Sequence, residues 1–395
     1  MHLLETYALS TGSKIGKPFI LKKFFPVKFD KYITIQNSSG MPSKCYDYFQ
    51  EVVDFLLPIL NKHGIGIVQI GGKEDTPLQN VELLHGATNI NQTAHIISNS
   101  MLHVGNDSFA IHMASALDVK NVGLYSITLP EIAGAYFNKH NSISLYPDKE
   151  KPSFNPNESP KRINKIKPEQ VVDSCLKLLF NGDENNALTT LHIGTRYKEV
   201  IIECLPNNII SPEFFSGSVL NIRCDYVDNI DLNILYNNLS VRKCCIITDK
   251  PFDLSPMPQL KQNLTLIIYD ISKDLNIDFI KALETLGLKY VCAVNKQSIS
   301  EEYLHDKKTQ LIDYCSIEEY SLIPDDFNKD ILNTKGLKYR SNRVILSGGK
   351  LYSSSSALLE DLNSDNPTNL SIEIDKIQNK NKFLEDLDYC MVYKD

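Results

Sequence analysis

Val104-Gly105-Asn106-Asp107-Ser108-Phe109-Ala110-Ile111-His112-Met113-Ala114-Ser115-Ala116-Leu117 packs a strand end, a polar turn and a helix start into one short stretch. Met101–Val104 reads as a strand that Gly105-Asn106-Asp107 brings to an end, and Ser108–Leu117 has helical periodicity. Asp107 or Ser108 stands where a helix cap belongs, leaving the first backbone N–H groups of the helix directed past the carboxyl end of the strand. A helix N-terminus in that place attracts anions. An ordinary capped helix satisfies the same pattern, so the context has to decide.

The flanking sequence repeats the alternation. Lys31–Gln36 reads as a strand, Tyr46–Lys62 as an amphipathic helix with Phe49, Val52, Val53, Leu56, Leu57 and Leu60 on one face, and Ile65–Ile70 as a second strand closed by Gly71-Gly72. Thr93–Ser100 is expected to be a short helix and Asn121–Tyr125 a further strand. Strands and helices alternating at this spacing imply a parallel sheet covered by helices. After residue 196 the pattern recurs more loosely, with strands expected at Val219–Cys224, Lys243–Thr248, Leu264–Tyr269 and Tyr290–Val294 and a helix at Asp274–Leu286. Between the halves, prolines 147, 152, 156, 160 and 168 suggest a linker or long surface loop over about 147–168. The tail from 324 on reads as irregular, with a basic patch at Lys338, Arg340, Arg343 and Lys350.

A chain of 395 residues is sized for two domains. The expected division is an extension over 1–30, a Rossmann-like domain over 31–180 and a second α/β domain over 196–395. Residues 1–195 hold 18 basic and 18 acidic side chains, so the net charge of −7 belongs wholly to the second half. That balance argues against nucleic acid as a partner of the whole chain. The nine cysteines show no Cys-x-x-Cys spacing and are expected to be reduced. The first residues lack the basic start of a signal peptide, and Phe55–Leu60 is too short to span a bilayer, so a cytoplasmic location is expected.

Several short elements then fall into one order. Asn37-Ser38-Ser39-Gly40-Met41-Pro42-Ser43-Lys44 follows the first strand and Ile70-Gly71-Gly72 closes the second. Leu84-His85-Gly86-Ala87-Thr88 precedes the short helix, and the Asp107-Ser108 helix start with His112 comes last. In this order and spacing, residues 31–138 resemble the donor-binding half of family 9 glycosyltransferases, the heptosyltransferase-like group with the GT-B fold. The resemblance implies a GT-B-like Rossmann domain that holds a nucleotide-sugar donor and transfers its sugar to a glycan or other hydroxyl acceptor, with inversion and without a metal or resident cofactor.

Carried over by position, the resemblance makes Lys44 a catalytic residue that meets the donor diphosphate. An ammonium on a flexible stem can neutralise charge on a departing phosphate. The resemblance makes Asp107 the second catalytic residue, orienting that loop or hydrogen-bonding the sugar. Ser38, Ser39, Gly71, Gly72, Thr88, Ser108, Phe109, Ala110 and His112 would line the donor site. Two departures stand out: Phe109 occupies a position where the family has glycine, and only about 30 residues precede the donor-like half, where the family has a whole acceptor domain. In the second half, Asp249 and Asp270 each end an apolar strand and could serve as general base on the acceptor, or merely cap the next turn. Two other readings stay open. One is a non-catalytic glycan-, nucleotide- or protein-binding module on the same scaffold; the other is a nucleotide-sugar epimerase.

Overall fold

A computed structural model describes residues 1–147, 151–323, 327–365 and 371–394. The chain forms two compact units, Met1–Thr190 and Leu191–Asp395. The α/β class expected from the sequence is what the structure shows.

The first unit contains α1 (Leu3–Thr11), β1 (Tyr32–Gln36), α2 (Phe49–Lys62), β2 (Gly66–Gln69), β3 (Glu82–Leu83), α3 (Ile90–Asn99), β4 (His103–Asn106), α4 (Phe109–Ala116), β5 (Asn121–Leu124), α5 (Pro130–Ala133), β6 (Ser142–Leu145) and α6 (Pro168–Phe180). The strands form one parallel sheet in the order β3-β2-β1-β4-β5-β6, the doubly wound arrangement. Ile33 and Ile35 of β1, Val68 of β2 and Val104 of β4 are fully buried, as continuous apolar strands covered on both faces should be. The apolar stripe of α2, with Phe49, Val52, Val53, Leu56 and Leu60, is likewise buried. Each of those side chains contributes roughly 1.5–3 kcal/mol by leaving water.

The segment before β1 is part of this unit. Ile20, Phe25, Val27 and Phe29 pack on the core that holds Tyr32, Val68 and Ala94. Of the two readings of the proline-rich stretch, linker or long surface loop, its described part is a loop that packs on the segment following β1, and the division between units comes later, at residue 190. Residues 148–150 of that stretch lie outside the described residues.

The second unit begins within β7 (Thr189–Ile193), the strand that carries the chain across the division. It continues with β8 (Ile201–Cys204), β9 (Leu220–Arg223), α7 (Leu232–Val241), β10 (Cys244–Thr248), α8 (Met257–Leu260), β11 (Leu264–Asp270), α9 (Ile277–Thr285), β12 (Tyr290–Asn295), α10 (Glu301–Gln310), β13 (Ile317–Tyr320), β14 (Leu337–Ser341), β15 (Arg343–Ser347), β16 (Lys350–Tyr352), α11 (Ser355–Leu359), β17 (Ile372–Glu373), α12 (Lys380–Leu384) and β18 (Cys390–Lys394). From β8 to β13 each strand lies beside the next in one parallel sheet, extended past β8 by β15 and β16. Ile222, Ile246, Ile267 and Cys292 of its strands share a core with Leu235 and Leu239 of α7 and Ile280 and Leu283 of α9.

The tail is not irregular. β17, β14, β18 and β7 form a second sheet over a core of Leu337, Tyr339, Phe383 and Val392. Nor is there one basic patch: Arg343 is 3% exposed and bonded to Glu203 and Asp386, whereas Lys350 pairs with Asp361 at the surface. An exposed run of cations and a buried ion pair are indistinguishable in sequence, because the partners are residues 140 and 43 positions away. The nine cysteines are free thiols. Among the described residues no helix is long and apolar enough to cross a membrane.

Candidate functional site

β1 and β4 are neighbours in the first sheet, and the strands that follow each of them lead away on opposite sides. Their carboxyl ends therefore bound a crevice, the place where ligands of open α/β sheets bind. Asn37–Ser39 leave β1 there, and Asp107 and Ser108 leave β4. Lys44 arrives from the single helical turn Pro42–Lys44. Its Nζ donates to Asp107 Oδ2 at 2.5 Å, and Thr128 Oγ1 donates to the same oxygen at 2.6 Å. His112 Nε2 stands 3.8 Å from Asp107 Oδ1, and Ser39 Oγ donates to the Asp107 carbonyl at 3.3 Å.

Asp107 is a buried carboxylate. Burial works to raise its pKa, but the nearby His112 imidazole, the hydrogen bonds from Lys44 and Thr128 and the Lys44 charge outweigh that, and the carboxyl lies below its ordinary range. At neutral pH it is an anion with its lone pairs engaged, suited to holding Lys44 rather than to accepting a proton. On β4, burial pushes the His103 imidazole down to about 3, so it is neutral. Its Nδ1 lies 3.0 Å from Thr34 Oγ1 of β1.

The other sequence-predicted residues fall into two groups. Ser38 Oγ donates to Asp75 Oδ2 at 2.6 Å, and Gly72 N donates to the same oxygen at 2.7 Å. Gly71 has φ +147°, and a Cβ there would meet Asp75 Oδ2 at 2.0 Å, so glycine is required for the carboxylate to reach this turn. Ser38, Gly71, Gly72 and Asp75 thus form one polar turn beyond β1 and β2. Thr88 is occupied elsewhere, its hydroxyl 2.8 Å from that of Thr93 of α3. At the start of α4, Ser108 holds the cap position with extended backbone, but its side chain makes no capping hydrogen bond, contrary to the cap read from sequence. Phe109 is 43% exposed, while Ala110 behind it is fully buried.

Two contributors escaped sequence reading. Thr128 follows β5, the neighbour of β4, and its place just past a strand's carboxyl end was the available signal. The second is the segment over 151–166. Glu158 N donates to Ser43 Oγ at 2.6 Å, and Ser43 N donates to the Pro156 carbonyl at 3.1 Å. Lys161 Nζ donates to Asp47 Oδ1 at 2.6 Å, Asn164 Nδ2 donates to Asp47 Oδ2 at 2.7 Å, and the Asp47 main-chain N–H donates to Asn164 Oδ1 at 3.1 Å. Ser126 Oγ adds a bond to the Ser43 carbonyl at 3.1 Å. The turn that carries Lys44 is therefore clamped on both sides.

Asp249 and Asp270 lie in the second unit and border a single cavity there. Asp249 pairs with Lys250 and Lys273, each at 2.8 Å. Asp270 accepts from Tyr320 Oη at 2.9 Å and from the main chain and hydroxyl of Ser272. Among the described residues no cluster of His, Cys, Asp or Glu is arranged to hold a metal ion.

The doubly wound sheet with a lysine, a carboxylate and a helix start at its switch point defines a Rossmann-type α/β unit. Residues 13–163 match the family model of glycosyltransferase family 9 (heptosyltransferase), a stretch that takes in the sequence resemblance read over 31–138. No curated protein matches the chain. Among solved structures, the chain is similar to ADP-heptose lipopolysaccharide heptosyltransferase II of E. coli, at 18% identity and a TM-score of 0.31 over 46% of this chain and 52% of that one. It is also similar to a family 9 glycosyl transferase from Veillonella parvula, at 21% identity and a TM-score of 0.32, over 45% and 51% of the two chains. A third is the UDP-GlcNAc 2-epimerase of Methanocaldococcus jannaschii, at 13% identity and a TM-score of 0.21, over 74% and 89%. The similarity spans about half the length of the two glycosyltransferase structures.

Proposed function

We propose that the first unit binds a nucleotide-diphosphate sugar and that the protein is a glycosyltransferase, moving that sugar to a hydroxyl acceptor with inversion and without an essential metal. The observation that carries the reading is the meeting of Lys44 with Asp107 at the crevice between β1 and β4. A diphosphate entering there competes with Asp107 for the Lys44 ammonium. The side chain needs only to swing about its own stem, since its backbone is clamped. Lys44 and the first N–H groups of α4 then stabilise charge on the leaving diphosphate. Asp107 is a positioning residue in this scheme. Inversion follows from the family resemblance and requires a base on the acceptor side, for which Asp249 and Asp270 are the proposed candidates.

Phe109 favours a second reading. A half-exposed aromatic ring at the first residue of α4 stands where close backbone approach to phosphate would suit glycine, which is compatible with a non-catalytic binding module. Thermal stability of the whole protein against ADP, UDP, GDP and their sugar conjugates separates the readings. Stabilisation by a nucleoside diphosphate that Lys44→Ala abolishes supports donor binding. Release of the nucleoside diphosphate from its sugar conjugate, dependent on an added acceptor and unaffected by EDTA, supports transfer. Stabilisation by none of these ligands refutes both claims.

A further inference from the structure

The proposed donor site leaves unused a cavity of the second unit, about 780 Å³, a size typical of small-molecule sites. It lies on the face of the parallel sheet opposite the helix-packed core. Side chains alternate along each strand, so the residues next to the buried Ile222, Ile246 and Ile267 are the ones that reach it. Its floor is apolar and half-buried, made of Ile247, Leu266, Ile268 and Val291. Polar groups gather where the strands end: Arg223 on β9, Asp249 after β10, Asp270 on β11 and Asn295 on β12.

The electrostatics of the lining select the ligand class. Among the described residues seven carboxylates and five cations face the cavity. Arg223 is bound to Glu203 at 2.9 Å and to Asp225 at 2.6 Å, and Arg343 to Glu203 at 2.6 Å and Asp386 at 2.7 Å. Lys273 is held by Asp249. A phosphate or carboxylate would have to break these pairs and meet a surplus of negative charge. Asp270, in contrast, accepts its hydrogen bonds among the described residues from the neutral donors of Ser272 and Tyr320, and its carboxylate can take further hydrogen bonds from hydroxyls. Asn221 and Asn295 offer amides that both donate and accept, and the ring of Tyr226 lines the same wall.

We infer that this cavity is a binding site for a neutral saccharide, which lays its C–H face on Ile247, Leu266 and Ile268 and gives hydroxyl hydrogen bonds to Asp249 and Asp270. An apolar floor ringed by acceptors matches a molecule with apolar faces and hydroxyl edges better than it matches an ion. The lining residues all belong to the second unit, and the assignment stands whether or not the first unit binds a donor.

The test is saturation-transfer NMR and calorimetry on the full chain with maltose, cellobiose, lactose, mannobiose and chitobiose, beside ADP, inorganic phosphate and a lysine-rich peptide. At least one saccharide should bind, and Asp270→Asn and Ile268→Lys should each weaken it at least tenfold while circular dichroism and the melting temperature show a folded protein. Ser272→Ala, which removes a neighbour of Asp270 while leaving both carboxylates, should change affinity less than either. The assignment is overturned if no saccharide binds or if only the lysine-rich peptide does. It is equally overturned if saccharide binding survives Asp270→Asn and Ile268→Lys but is lost in Lys44→Ala, which would place the sugar in the first unit.

Discussion

Lys44 and Asp107, 63 residues apart in sequence, are joined Nζ to Oδ2 at 2.5 Å across the crevice of the first sheet, with side chains 15% and 5% exposed. The pair is shielded enough that removing either member matters, because the survivor keeps a charge that water solvates poorly. The carboxylate has Thr128 and His112 as further partners, so the lysine is the group that a competing anion can draw away.

Lys44→Ala is expected to lower affinity for nucleoside diphosphates by at least about tenfold, roughly 1.4 kcal/mol. Lys44→Arg should recover only part of it, because a planar guanidinium does not reproduce a compact ammonium at this turn. Calorimetric titration of the three proteins with ADP and UDP measures the difference.

Phe109→Gly should tighten diphosphate binding several-fold by uncovering the first N–H groups of α4. Glycine at this helical position costs about 1 kcal/mol of stability. Denaturant unfolding and ligand titration of the same variant read the two effects apart. A loss of affinity would show that the ring contributes to the site.

Ser43→Ala removes the buried acceptor of the Glu158 N–H and is expected to cost about 1–3 kcal/mol. The loss should be local, releasing the segment over 151–166 from the Lys44 turn. Limited proteolysis should therefore cut within that segment sooner than in the wild type.

Stability of the first unit should fall with acid in two steps. His103 has its folded pKa depressed from 6.5 to about 3, so between those values the unfolded chain binds more protons, and stability decreases as pH drops below about 6.5. Asp107 also has a depressed pKa; its contribution is complete above the unfolded value of about 3.9 and is lost as pH falls through the lower, folded one. His103→Gln should flatten the first limb and Asp107→Asn the second, as followed by melting temperature against pH.

Glu203→Gln should destabilise the second unit by about 3–5 kcal/mol, because Arg223 and Arg343 lose the carboxylate that neutralises both within the protein. Urea unfolding monitored by tyrosine fluorescence gives the value. A change below about 0.5 kcal/mol would mean that water already solvates the pair.

Much of the fold was legible because its signals are local. Tyr32–Gln36, Cys244–Thr248 and Leu264–Asp270 are apolar runs of strand length, and the stripe Phe49, Val52, Val53, Leu56, Leu60 has a helix's spacing. The tail misled because β14, β17 and β18 are short strands whose partners are distant, so no periodic run announces them. Of the site, the residue types and their order along 38–112 were readable. Asp107 as an anion that holds Lys44 was not, since that depends on Thr128, 21 residues further on.

By itself, then, the sequence determined the strands and helices that have periodic runs of their own, that they alternate as an α/β chain, and that Asp107 and the start of α4 follow directly on a strand end. Tertiary structure alone decided that 151–166 clamps the Lys44 turn instead of linking domains. It also decided that Arg343 is a buried ion-pair partner and that Asp249 and Asp270 share a cavity. The physical reason is one of range. Secondary structure follows from side-chain spacing within a few residues, whereas ionic and hydrogen-bond partners are set by strand order and register, which join residues 20 to 140 positions apart and leave no local trace.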